Sequence, residues 1–230
     1  MIFISEIGLN HNGNFDLCYE LIKQSKNSGA NIVKFQLGWK SKSNEINFLD
    51  KKRIIQLINW AKYFEIEIMF SVFHDDALRM LKPFLNKNSR IKIASRTVID
   101  NPILVRKIIK MNLETIISLG MWNKKTLPFL KKKKIKYLWC KSTYPNSIND
   151  LKKFPKVFNN KLFDGFSDHT IGIETALIAI SRGANIIEKH FTLDKSNTTI
   201  RDHTLSSTPE EFQNLVEIGN DINRKIKSGI

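Results

Sequence analysis

Short β-branched runs alternate with longer helical patterns eight times along the chain, and this alternation narrows the possible folds more than any other feature. Strand-like runs fall at 2–7, 31–36, 66–72, 90–94, 114–118, 136–141, 162–166 and 185–188. Strands separated by helix-length segments read as βαβ units and a parallel sheet. The helical segments carry start and stop signals. Asn14 caps a helix that runs to Ser28 and stops at Gly29, Asn101 precedes Pro102 at a first helical turn, and Thr208, Pro209 and Glu211 form a capping box for a last helix over 209–225. Ile54, Ile55, Ile58 and Ala61 recur at helical spacing and are expected to face inward. Eight strands and about eight helices predict an α/β fold, a (β/α)8 TIM barrel, as a single domain over residues 1–230. An open doubly wound sheet gives the same alternation and stands as the alternative.

Composition bounds the function classes. Hydrophobic residues make up 42% and charged residues 26%, the balance of a globular protein with a sizeable core. No run reaches the roughly 18 apolar residues of a membrane span. The start MIFISEIGLNHNG lacks a basic leader and a small-residue cleavage site, so the expectation is a cytoplasmic protein. Cys18 and Cys140 are far apart, outside any zinc spacing, and read as reduced core residues. The net charge of +15 favours anionic partners, yet the excess is mostly scattered lysine with one block at 131–134 and no arginine-aromatic interleaving. The lysines therefore read as a solvated face that also steers an anionic substrate, with neither a nucleic-acid nor a membrane partner expected.

In a barrel the strand C-termini build the active site, so polar residues there can be collected strand by strand. They are Glu6; Lys34 and Gln36; Lys92 and Ser95; Ser118 and Gly120; Lys141, Ser142 and Tyr144; Ser167, Asp168 and His169; and Glu188, Lys189 and His190. Two histidines at the ends of successive strands suit a divalent metal, against the plainer reading of two hydrogen-bonded structural histidines. Lysines inside barrel strands are costly unless they face an anion or a carboxylate. Lys34 and Lys92, with serines from three other strands, therefore describe either a phosphate and carboxylate pocket or an internal ion-pair network with Glu6 or Glu188.

The segments EIGLNHNG, VKFQ, KIAS, IISLGM, TYP, GFSDHT and EKHFTLD, in this order and spacing, resemble the sialic acid synthases, which make N-acetylneuraminic, legionaminic and pseudaminic acids. The resemblance runs from Glu6 to about Phe212. It implies a transferase that condenses phosphoenolpyruvate with the open-chain aldehyde of an N-acylated amino sugar and releases phosphate, for polysaccharide or glycoconjugate biosynthesis. It implies a divalent metal, usually manganese with magnesium or cobalt as alternatives, held by His169 and His190. Lys34, Gln36, Lys92, Ser95, Ser118, Ser142 and Ser167 match positions that hold phosphoenolpyruvate; Tyr144, Asp202 and Arg201 match or lie near positions that reach the sugar. Glu6 matches a carboxylate near the reacting carbon and Glu188 one beside the metal, and either serves as the proton-transfer group.

The chain departs from the family pattern mainly at the sugar end. The stretch 39–49 is short, Ser142 stands where many members have asparagine, and TTIRDH replaces a Pro-Gly-Pro-Asp run. Typical members continue into an antifreeze-like domain that covers the partner subunit's site in a homodimer. Here the expectation is a barrel without that domain, with either a separate cap protein or a more open cleft. A synthase acting on another aldehyde sugar, and a non-catalytic barrel kept as a binding partner, are the competing readings.

Overall fold

The computed structural model describes residues 1–39, 45, 47–143, 145–147, 149, 151–158 and 162–229. Eight parallel strands close on one another in sequence order: β1 (Ile2–Gly8), β2 (Ile32–Leu37), β3 (Glu67–Val72), β4 (Arg90–Ile93), β5 (Glu114–Ser118), β6 (Ile135–Trp139), β7 (Gly165–Asp168) and β8 (Ile186–His190). The first and last strands pair from Ile2↔Ile186 to Glu6↔His190, which makes the sheet a barrel and removes the open-sheet alternative. The expected strand positions hold to within a residue or two except for β7, which starts later and takes in Ser167 and Asp168.

Among the described residues seven α-helices surround the barrel: α1 (Phe15–Asn27), α2 (Lys51–Tyr63), α3 (Asp75–Leu81), α4 (Ser95–Asp100), α5 (Pro102–Lys110), α6 (Glu174–Ser181) and α7 (Pro209–Lys227). Their caps are those the sequence signals. Asn14 Oδ1 accepts from the amides of Asp16 and Leu17, Asn101 Oδ1 from that of Leu104, and Thr208 and Glu211 complete a reciprocal box. The expectation of a helix after every strand fails twice. Among the described residues, 119–134 and 140–164 contain no α-helix. Pro128 and four consecutive lysines interrupt the first segment, Pro145 and Pro155 the second, and neither carries an apolar helical stripe. Ile55 is a second correction. It is 39% exposed, and Leu57 is buried with Ile54 and Ala61 instead, because the buried stripe of this helix runs through 54, 57, 58 and 61 and Ile55 falls on its solvent side.

The period of two along each strand sorts side chains into two cores. Outward-facing residues such as Phe3, Val33, Phe35, Phe70, Phe166 and Ile187 join the helices in the main cluster. Inward-facing Ile4, Ile32, Met69, Ile116, Leu138 and Ile186 form a separate apolar layer inside the lower barrel. The layer above it, toward the strand C-termini, is polar.

Candidate active site

Two residues beyond each apolar inward position, five strands turn polar: Ile4 gives way to Glu6, Ile32 to Lys34, Met69 to Ser71, Ile116 to Ser118 and Ile186 to Glu188. Lys92 of β4 and Ser167 of β7 complete the ring, and all of these residues are buried. A charged network results. Lys34 Nζ lies 2.7 Å from Glu6 and 3.4 Å from Glu188, and Lys92 Nζ lies 3.2 Å from Glu188. Hydrogen bonds fill in the rest: Lys34 donates to Ser71 Oγ at 3.1 Å, Lys92 to Ser118 Oγ at 2.7 Å, Ser167 to Glu188 Oε1 at 2.8 Å and Gln36 to Glu6 Oε1 at 3.1 Å. The ion-pair alternative is therefore present in the molecule, with two ammonium groups balancing two carboxylates.

The two carboxylates titrate apart. Burial raises the Glu6 carboxyl, and the nearby Glu188 charge adds to it against the pull of Lys34. Burial acts on Glu188 as well, but Lys34, Lys92 and the Ser167 hydroxyl outweigh it and draw that carboxyl down to about 2. Burial also lowers the Lys92 ammonium, whereas Lys34, held between both carboxylates, is raised. Gly8 leaves room beside the Glu6 carboxylate. Gly8 sits at a register shift between β1 and β2 with φ of +55°, and a Cβ there would stand 3.0 Å from Glu6 Oε1.

His169 and His190 face each other with ring centroids 5.5 Å apart. Burial, joined for His169 by its neighbour His190, lowers them to about 3 and about 4, so both are neutral imidazoles at pH 7. His169 Nδ1 lies 2.9 Å from the Lys141 carbonyl, which only accepts; Nδ1 therefore carries the hydrogen and Nε2 keeps its lone pair. The other cations and acids of these strand ends serve elsewhere. Lys189 and Asp168 pair at 3.1 Å outside the cleft, and Asp168 Oδ1 also accepts from the Thr170 amide and hydroxyl.

A 3-10 turn over Arg201–Leu205 brings Asp202 to 3.9 Å from His190 Nδ1. Ser206 pins that turn by donating to the Asp202 carbonyl, and Asn10 ties it to β1 by donating to Ser206 Oγ and to the Phe191 carbonyl. The Asn-His-Asn-Gly segment is thus a brace between the first and last loops. Arg201 stands at the rim with its side chain 65% exposed, 3.4 Å from Asp202.

These groups line one cleft of about 220 Å³ at the C-terminal mouth of the barrel. Glu6, Lys34, Gln36, Lys92, Ser95, Ser118, Ser142, Ser167, His169, Glu188, His190, Arg201 and Asp202 all line it. Tyr144 lies outside the described residues. Among the described residues no three histidine, cysteine, aspartate or glutamate side chains cluster as a metal cage. His169 and His190 are the residues of the cleft that could hold a divalent ion.

The sequence reading missed several lining residues. Ser71 was recoverable, since it follows Met69 by two. Cys140 was read as core; it is buried and free, but its thiol lies 3.2 Å from Ser95 Oγ within the cleft, and burial keeps it protonated. Ser95 also accepts from the Gly120 amide at 2.8 Å, and a Cβ on Gly120 would meet Cys140 Sγ at 2.6 Å. Trp39, Phe73 and Arg96 form a rim: the aromatic rings meet at a tilt of 48° with centroids 5.2 Å apart, and the guanidinium sits 5.5 Å from the Trp39 ring. No local motif announced that grouping.

The NeuB family model matches residues 41–230. N,N'-diacetyllegionaminic acid synthase of Campylobacter jejuni is 33% identical, the alignment covering 100% of this chain and 78% of that protein. Pseudaminic acid synthase of the same species is 28% identical over 94% of this chain and 72% of that protein. Among solved structures, the N-acetylneuraminic acid synthetase of Leptospira borgpetersenii superposes with a TM-score of 0.84 at 28% identity, covering 98% of this chain and 84% of that one.

Proposed function

From the premise that this chain belongs to the NeuB family, we propose that it condenses phosphoenolpyruvate with an open-chain N-acylated amino sugar, giving a nonulosonic acid and inorganic phosphate. C3 of phosphoenolpyruvate forms the new bond to the aldehyde carbon, whose oxygen takes up a proton. Water adds at C2, and breaking the C2 to oxygen bond expels phosphate. The observation that carries this reading is the two-ended cleft, with a buried lysine and serine floor on one side and a pair of neutral imidazoles on the other.

Each residue has a task that follows from its chemistry. Lys92, Ser95, Ser118, Ser142 and Ser167 offer ammonium and hydroxyl donors for the phosphate and carboxylate of phosphoenolpyruvate, with Lys34 and Gln36 beside them. The substrate's charge enters a network that is already balanced. Its carboxylate or phosphate therefore competes with Glu188 for Lys92, whose Nζ is shared between Glu188 and Ser118. Glu6 is the proton-transfer group, because its carboxyl is raised while that of Glu188 is lowered, and two neighbouring acids driven apart take different roles. Asp202 and Arg201 meet the sugar hydroxyls and N-acyl group at the rim.

His169 and His190 fit a divalent metal, since each is neutral and the Lys141 carbonyl fixes the His169 tautomer. Manganese bound there supplies Lewis acidity toward the sugar aldehyde. Phosphate release decides the reading. Incubation with phosphoenolpyruvate, manganese and a panel of N-acetylmannosamine-type sugars is expected to liberate phosphate with at least one of them, and silence across the panel would sink it. Manganese titrated by electron paramagnetic resonance is expected to bind the parent and not the double variant His169→Ala/His190→Ala.

A further inference from the structure

The chain's positive charge is unevenly placed. Residues 119–163, which comprise β6 and the connections on either side of it, carry twelve lysines, no arginine and one acidic residue. The other 185 residues hold 25 lysines and arginines against 21 acids. Eleven of the fifteen net charges therefore lie on one fifth of the chain, which a uniform lysine bias would not produce.

The fold gathers the described residues of this segment onto one sector. β6 lies between β5 and β7, so both connections wrap the same flank of the barrel. Lys131 joins them, donating to the Leu162 carbonyl at 3.4 Å and pairing with the buried Asp164 at 2.8 Å. Residues 130–134 lead into the start of β6 and 162–164 into the start of β7. Residues 155–158 are held beside the start of β8, where Arg182 donates to the Pro155 carbonyl and Phe158 to that of Arg182. The surface formed by 130–134, 155–158 and 162–164 thus lies at the N-terminal end of the barrel, whereas Met121, Cys140 and Ser142 of the same segment border the cleft at the other end. Lys132, Lys133 and Lys156 are exposed on that surface and make no ion pair among the described residues. Aliphatic side chains are interleaved with them: Leu130 is 77% exposed, Val157 64% and Leu162 43%.

We propose that this sector docks the protein peripherally on an anionic phospholipid surface. Lysines over acidic headgroups, with single aliphatic side chains entering the interface between them, are the two contributions that peripheral membrane attachment needs. A polynucleotide fits less well, because the sector has no arginine for base edges and its exposed apolar groups are aliphatic and cannot stack on bases. In this orientation the cleft opens toward the solvent, where small charged substrates reach it.

Vesicle flotation of the intact chain tests the idea. Vesicles with about 30% phosphatidylglycerol are expected to retain the protein about tenfold better than pure phosphatidylcholine, with the difference shrinking as salt rises. The exposed triple variant Lys132→Glu/Lys133→Glu/Lys156→Glu is expected to lose about tenfold and Leu130→Ser about threefold, both with unchanged circular dichroism and melting temperature. Absence of retention on anionic vesicles overturns the proposal, as does full retention of the triple variant. So does indifference to Leu130→Ser, which would reduce the surface to diffuse counter-charge. Displacement of the protein from vesicles by an equal charge concentration of RNA would assign the surface to a polynucleotide instead.

Discussion

Two layers of the barrel interior come from the same strands yet have opposite chemistry. The lower one, Ile4, Ile32, Met69, Ile116, Leu138 and Ile186, is apolar; the upper one holds Glu6, Lys34, Lys92 and Glu188 with serines between them. The lower layer resembles an ordinary core, in which removal from water is favourable for each side chain taken alone. In the upper layer no charge is tolerable alone, and each persists only because its neighbours compensate it. A single substitution is therefore absorbed below and propagates above.

Glu188→Ala should break this contrast most severely. It leaves Lys34 and Lys92 buried with one carboxylate between them, and is expected to cost about 3–5 kcal/mol in urea unfolding as well as abolishing phosphate release. Glu6→Gln comes next. Glutamine keeps the shape and a polar partner for Lys34, which also retains Glu188, so the stability cost should be smaller than that of Glu188→Ala, about 1–3 kcal/mol, while turnover falls by about 10²–10⁴, measured as kcat under saturating substrates. Glu6→Gln with parental kcat would move the proton-transfer role to another group. Ile116→Val, in the lower layer, has the smallest effect. It is expected to cost about 0.5–1.5 kcal/mol of stability and leave kcat unchanged. A large kcat loss in Ile116→Val would mean that the two layers are mechanically coupled and the contrast is false.

Much of the cleft was legible because a parallel barrel converts sequence position into spatial position. A polar residue at a strand's C-terminal end must lie at the mouth, whichever strand it comes from. Glu6 and His190, 184 residues apart in sequence, could be placed at the same mouth on that basis, and the pairing of β1 with β8 sets them side by side. The rim was less legible. Trp39, Phe73 and Arg96 follow three successive strands, and only the approach of those loops makes them a unit. Ile55 lies outside the buried stripe of 54, 57, 58 and 61, and the local run of apolar residues does not show which edge of that stripe meets the barrel.

By itself the sequence determined the succession of eight strands, the helix caps, and the polar residues at the strand C-termini, since these depend on the backbone period and on groups a few residues apart. Only the tertiary structure decided that β1 closes on β8 rather than leaving an open sheet. It alone decided that Lys34 and Lys92 meet carboxylates, and that the lysines of two connections gather on one flank. Those outcomes depend on which distant strands become neighbours, and that is set by closure of the whole barrel rather than by any segment of it.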